Sequence, residues 1–219
     1  MTGFRRLLRP LPPALAKYQP AILPREESEP TIYVYDTFTD VEDTLLSNHT
    51  PDTDLEGGGW VNIAYSLNYK IKSSRAQGVN AAQANHGLVD SGVSECVVEA
   101  VVNKSGASVD AFFHYAGIFA RYTDNNNYWK IGIHDGANKF VIWENNAGVK
   151  TMRATKSVTI SGEHTIQVTL NGQTITATLD GGDEISYSSA SLNETATKHG
   201  ICERHNGDYI DNFKVEALS

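Results

Sequence analysis

The residues able to do acid–base chemistry are few, and their spacing argues against most reactions. A glycosidase needs two carboxyl groups projecting from one strand face, one to donate a proton and one to attack or stabilise. Glu95 and Glu99 lie on one stretch, but Glu95 falls at its end and Glu99 faces away from Cys96, Val98 and Ala100. They read as part of a solvated strand face. Neither Gly-x-Ser-x-Gly nor His-Glu-x-x-His occurs, and there is no glycine-rich phosphate loop. No catalytic residue is predicted. His199 and His205 flank Cys202, but the second cysteine pair of a zinc site is missing, and the three do not converge on a strand. Calcium needs oxygen ligands, and two places offer them: Asp124 with Asn126 and their asparagine neighbours, and Asp36 with Asp211 if the terminal strands are adjacent. The same residues also make turns on their own account. No other cofactor is expected.

Binding offers more than catalysis. Suppose 116–123, 127–134 and 139–145 form a meander with even-length loops. Ile118, Ala120, Tyr122, Trp129, Ile131, Ile133, Phe140 and Ile142 then share one face, the core. The opposite face collects Phe119, Arg121, Tyr128, Lys130, His134 and Trp143. That set places flat apolar platforms beside hydrogen-bond donors, the combination a sugar ring requires. Trp143 leads the set, with Tyr128 and Arg121 beside it, because an outward tryptophan is costly unless something covers it. The competing expectation is that loops, or the arm of a neighbouring copy, cover this face and make it a second core.

The elements that must position these residues are strands. From Thr31 onward the hydrophobic period is two. In 165–180, Ile166, Val168 and Leu170 alternate with threonine and glutamine, and the pattern resumes after Asn171-Gly172 with Ile175, Ala177 and Leu179. Asn-Gly between alternating runs signals a hairpin, here expected as a type I′ turn with positive φ at both residues. Further strands are predicted near 32–36, 60–64, 69–73, 87–90, 94–103, 111–123, 127–134, 139–145, 149–154, 184–188, 198–204 and 208–217. No stretch holds a 3.6-residue period over three turns. Many short strands with Gly/Asn turns imply an all-β antiparallel sandwich or jelly roll. Cys96 reads as a buried thiol, with a Cys96–Cys202 bridge as the open alternative. No apolar run approaches the length of a membrane span.

A different material precedes this body. Six of the 7 prolines fall in the first thirty residues, which excludes a long helix or a central strand there. Arg5, Arg6, Arg9, Lys17 and Arg25 give residues 1–25 a charge of +5 with no acid before Glu26, leaving −13 on the remainder of a chain whose net charge is −8. So acidic a body is not expected to bind nucleic acid. Residues 1–30 are therefore predicted to be an extended, basic, proline-rich arm, and 31–219 the folded domain. Phe4, Leu7, Leu8, Leu11, Leu15 and Tyr18 would anchor the arm in an apolar groove of a partner, with Arg5, Arg6 and Arg9 seeking acidic surface. Arginine-rich, acid-poor starts also occur in transit peptides, but the proline density speaks against one. No secretory pattern is evident, since Leu7-Leu8 is soon broken by Arg9 and Pro10, so folding in a reducing cytoplasm is expected.

Four stretches carry a family resemblance. Tyr35-Asp36-Thr37-Phe38 opens the body, and Ser47-Asn48-His49-Thr50-Pro51-Asp52 leads through glycines to Gly59-Trp60. Ala116 to Asp124 is followed by Asn127-Tyr128-Trp129, and Gly207-Asp208-Tyr209-Ile210-Asp211-Asn212-Phe213-Lys214-Val215 closes the chain. Over about residues 33–217 this resembles the concanavalin A-like, laminin-G-like jelly roll, in the versions found in tailed-phage structural and tail proteins. The retaining glucanases of that fold carry a Glu-x-Asp-x-(x)-Glu strand motif, which is absent here. The resemblance implies a non-enzymatic virion protein, a head decoration or tail appendage. Its arm would lie on other capsid or tail proteins, and its sandwich would be displayed in several copies toward host glycans. A carbohydrate-active enzyme or a free-standing lectin is the alternative.

Overall fold

The computed structural model describes residues 29–63, 69–79, 85–104, 115–134, 138–203 and 207–218. The predicted anchors Phe4, Arg5, Arg6, Leu7, Leu8, Arg9, Leu11, Leu15 and Tyr18 lie outside the described residues.

Within them the chain forms strands β1 (Ile32–Asp36), β2 (Thr53–Asp54), β3 (Val61–Asn62), β4 (Tyr69–Ile71), β5 (Ala76–Gly78), β6 (Asn85–Asp90), β7 (Cys96–Asn103) and β8 (Tyr115–Asp124). They continue with β9 (Asn127–His134), β10 (Lys139–Asn146), β11 (Val149–Ser157), β12 (Glu163–Asn171), β13 (Thr174–Leu179), β14 (Asp183–Tyr187), β15 (Lys198–Glu203) and β16 (Tyr209–Glu216). A single 3-10 turn, Leu46–Asn48, interrupts the first loop. The short strands β2 and β5 were not legible as periodic runs, because two or three residues cannot display a period.

All ladders are antiparallel. One sheet has nine strands, running β14-β13-β12-β7-β16-β1-β2, with β5 joined to β16 and β4 to β5. The other has seven strands in the order β11-β10-β9-β8-β15-β6-β3. Sequence alternation sets the register. Ile166, Val168 and Leu170 stand opposite Ala100, Val98 and Cys96, so their side chains share one face, and all six are buried. Against them lie Ile118, Ala120, Trp129, Ile131, Ile133, Phe140 and Ile142 from the seven-stranded sheet, closing one core. Trp129 is fully buried and donates its indole N–H to the Leu192 carbonyl at 2.9 Å, so its one polar atom is satisfied.

The hairpin at Asn171-Gly172 forms, with a different turn from the one expected. Asn171 pairs with Thr174, which makes Gly172 and Gln173 the central residues, and only Gly172 has positive φ (50°). That is the type II′ requirement. The type I′ pattern appears instead between β10 and β11, where Ala147 (φ 50°) and Gly148 (φ 81°) are both left-handed.

Candidate functional site

The outer face of the seven-stranded sheet is built from cross-strand rows. Residues directly opposite in an antiparallel pair point to the same side. Phe119 pairs with Lys130, Lys130 with Trp143, and Trp143 with Met152, giving one row across β8, β9, β10 and β11. One pleat along, Tyr128 pairs with Asn145 and Asn145 with Lys150. Four of the six residues expected here, Trp143, Tyr128, Lys130 and Phe119, are therefore brought together. Tyr128, Lys130 and Trp143 are partly exposed, Lys150 is exposed, and Met152 keeps 37% exposure. His134 shares the face, opposite Lys139, but is buried at the end of β9.

Arg121 is not on this face. A bulge in β8 places 121–123 opposite Tyr128 alone, because Ala120 pairs with Trp129 and Asp124 already with Asn127. Arg121 carries the strain with φ 49°. A bulge inserts extra residues and reverses the side-chain alternation beyond it. Arg121 thus turns into the interior, fully buried, where its guanidinium donates to the carbonyls of Ser94 (3.4 Å) and Ala190 (3.5 Å). Asn193 holds the bulge from outside, its amide donating to the carbonyls of Arg121 (3.0 Å) and Asn127 (2.8 Å). The same reversal moves Tyr122, expected in the core, to the outer face.

There Tyr122 joins Phe119, Tyr128, Leu88, Ile63 and Cys202 in a second, smaller cluster. Tyr122 and Tyr128 stack at 5.8 Å, and Phe119 meets Tyr128 edge-on at 5.0 Å. Phe119 is fully buried, so it is floor beneath the tyrosines rather than a contact surface. The expectation of a second core thus holds for this part of the face, while Tyr128, Lys130, Trp143, Met152 and Lys150 form its open part. The Lys130 ammonium lies 5.9 Å from the centre of the Phe119 ring.

His86, which the sequence reading passed over, completes the floor. Its ring meets Phe119 edge-on at 4.8 Å. Burial pushes its pKa down to about 3, and Lys130 and Lys150 both add to the depression. In the sheet order His86 on β6 and Lys150 on β11 flank this outer face, the trough, with Phe119 on β8 between them. Asn145 and Lys150 were within reach of sequence reasoning, since a two-residue Ala147-Gly148 turn fixes their pairing. His86 was not, because the alternation of β6 is interrupted at Gly87 and the strand was expected only near 87–90.

Close packing shapes the trough as well. A Cβ on Gly117 would lie 2.2 Å from the Ile131 carbonyl oxygen, and one on Gly132 would lie 2.5 Å from that of Ala116. Only glycine permits this approach of β8 and β9.

The other chemical candidates disperse. Glu99 lies on the outer face of the nine-stranded sheet, bonded by Gln167 (3.0 Å), while Glu95 precedes β7 and accepts the Gly172 N–H (3.2 Å). Asp36 and Asp211 do not converge. Asp36 points into the core opposite Phe213, and a bulge at Asn212 (φ 49°) turns Asp211 to the other side, near Arg75. Asp36 is instead the hub of a buried network. It accepts the Trp60 indole N–H (2.5 Å), the Phe38 N–H (2.6 Å) and His49 Nε2 (2.9 Å), while His49 Nδ1 meets Asp40 at 2.9 Å. Burial raises the Asp36 pKa against these hydrogen bonds. Burial also opposes charge on His49, but its bonds to Asp40 and Asp36 outweigh that and hold its pKa above the usual value. Asp124 spends its carboxylate on the Asn126 N–H (2.7 Å) and the Asn127 amide (2.9 Å), so it is bonded as a turn former. Among the described residues no cluster of three or more His, Cys, Asp or Glu could hold a metal ion.

Cys96 and Cys202 are both free and buried, and they lie on opposite sides of the seven-stranded sheet, so the bridge does not form. His199 lies on the Cys96 side, with Nε2 2.9 Å from the Val93 carbonyl and Nδ1 accepting the Arg121 N–H at 3.4 Å. Burial drives its pKa down to about 4.

No family model matches the chain, and no curated protein sequence matches it. Solved structures do share its fold. The carbohydrate-binding module CBM66 from Bacillus subtilis is similar with a TM-score of 0.56 and 11% identity, over 72% of this chain and 95% of that one. Domain 4 of AbnA, a GH43 extracellular arabinanase from Geobacillus stearothermophilus, solved in complex with arabinotriose, is similar with a TM-score of 0.58 and 11% identity, over 87% and 94%. The GH43 BlXynB protein from Bacillus licheniformis is similar with a TM-score of 0.57 and 17% identity, over 84% of this chain but 38% of its own length. At these identities the likeness shows the fold alone, a sandwich of two antiparallel sheets.

Proposed function

We propose that this chain is a non-enzymatic glycan-binding β-sandwich whose sugar site is the trough on the seven-stranded sheet. The observation that carries this reading is Trp143, a partly exposed indole directly beside Lys130 and one pleat from Tyr128 and Asn145. A sugar ring has an apolar C–H face and a rim of hydroxyls. It is held by an aromatic platform bordered by donors and acceptors. The fold likeness to a carbohydrate-binding module and to a domain solved with arabinotriose supports a sugar over other small ligands. Binding rather than hydrolysis is supported by the trough's described residues, which present no carboxylate pair.

Within the same proposal, residues 1–30 fix the protein to other virion proteins, and the sandwich faces outward in several copies. The support is the chain's own charge segregation, +5 on residues 1–25 against an acidic body. An extended arm buries apolar area without needing a preformed socket, although ordering it costs about 1–2 kcal/mol per residue in backbone entropy. Display around a symmetry axis would multiply a weak sugar contact by avidity. A free-standing lectin is the second reading, favoured by a fold match that spans 95% of a carbohydrate-binding module.

A glycan array on residues 31–219 tests the site. Trp143→Ala should abolish the signal at unchanged melting temperature, and an undiminished signal would remove Trp143 from the site. Deleting residues 1–30 should leave sugar binding intact and end incorporation into particles. If incorporation persists, the anchoring reading is wrong.

A further inference from the structure

We propose that the trough selects acidic sugars, in which a ring carries a carboxylate or a sulfate. The inference rests on the reading of this face as a sugar site and adds the charge class of its ligand.

The outward residues of β8, β9, β10 and β11 follow from the register: Gly117, Phe119 and Tyr122, then Tyr128, Lys130, Gly132 and His134, then Lys139, Val141, Trp143 and Asn145, then Lys150, Met152, Thr155 and Ser157. None of these is an aspartate or glutamate, and three are lysines, on a chain of net charge −8. Two described carboxylates border the face and stay ionised: Asp124 at the β8–β9 tip, bonded by Asn126 and Asn127, and Asp90 on β6, which takes the Thr197 hydroxyl (2.6 Å) and the Gly92 N–H (3.2 Å). The three lysines outnumber them, so the local sign is opposite to that of the whole molecule.

Lys130 and Lys150 also stand where an anion on a stacked ring would fall. Lys130 is directly opposite Trp143, and Lys150 is directly opposite Asn145, the next outward residue of the same strand. The two lysine Cα atoms are about 12 Å apart, given two strand spacings and one pleat. Both side chains can lean over the indole between them. Lysines clustered on one face, with no carboxylate among the outward residues of β8 to β11, attract a ligand of the opposite sign.

The test uses the whole chain against immobilised polygalacturonate, carboxyl-reduced polygalacturonate, dextran sulfate, dextran and arabinan. Binding to polygalacturonate or dextran sulfate should exceed binding to the matching neutral polymer by about tenfold or more, the ratio expected for one charge-assisted contact. The two acidic arms separate carboxylate from sulfate. Lys150→Glu should remove that preference. Trp143→Ala should weaken every arm. Raising salt from about 0.1 M to about 1 M should erode the acidic arms only, as the Debye length falls from about 10 Å to about 3 Å. Equal or better binding to the neutral polymers overturns the charge selectivity and leaves the sugar site standing. Acidic binding that ignores Trp143→Ala is plain ion exchange and overturns it as well. Binding to no glycan overturns the sugar site itself.

Discussion

His199 makes a quantitative claim about acid stability. It is fully buried, with Nε2 donating to the Val93 carbonyl and Nδ1 accepting the Arg121 N–H, so burial opposes the charged ring and Nδ1 has no room for a second proton. Its pKa falls to about 4 in the fold, against about 6.5 in an unfolded chain. The depressed value means that the unfolded chain takes up the proton first as pH falls. The stabilising contribution is thus complete above about pH 6.5 and has gone below about pH 4. The full span is about 3.4 kcal/mol, from about 2.5 pH units at 1.36 kcal/mol each. Between pH 7 and pH 4.5 about 2.4 kcal/mol of it should be lost. Urea unfolding of the wild type and of His199→Gln at both pH values isolates this group, because every other titration cancels in the difference. The stability advantage of the wild type should shrink by about 2.4 kcal/mol on going to pH 4.5. If the two proteins lose stability in parallel, His199 is not excluded from protonation and the packing argument around Arg121 fails with it.

Two further outcomes follow from the same framework. Gly117→Ala drives a methyl group to 2.2 Å from the Ile131 carbonyl and should cost about 3 kcal/mol in a thermal or urea melt, whereas a loss below about 0.5 kcal/mol would mean that β8 and β9 can separate freely. Arg121→Met leaves the Ser94 and Ala190 carbonyls without their donor and should destabilise by about 1–3 kcal/mol, yet leave glycan affinity unchanged because the side chain points away from the trough; a selective loss of binding would return Arg121 to the site.

Much of the sandwich was written into local pattern. The alternation of Ile166, Val168 and Leu170 with threonine and glutamine, and of Cys96, Val98, Ala100 and Val102 in β7, specifies which side is buried without reference to the partner strand. The placement of Trp143, Tyr128 and Lys130 on one outward face followed from that alternation and from short turns. The absence of a paired-carboxylate motif was equally plain. These features depend on period and turn length, which neighbouring residues set among themselves.

What needed the tertiary structure were the breaks in period. No local signal marks Arg121 as left-handed, and Asn212 only tolerates that region without demanding it. Arg121 is strained there and persists because a distant group, Asn193, holds the strand around it. Each bulge reverses the faces beyond it. The first sends Arg121 inward and Tyr122 outward, and the second parts Asp211 from Asp36. The place of His86 likewise comes only from the pairing of β6 with β15, a strand far away in sequence. Alternation is a property of neighbours along the chain, whereas bulges and strand order are settled by contacts between residues far apart in it.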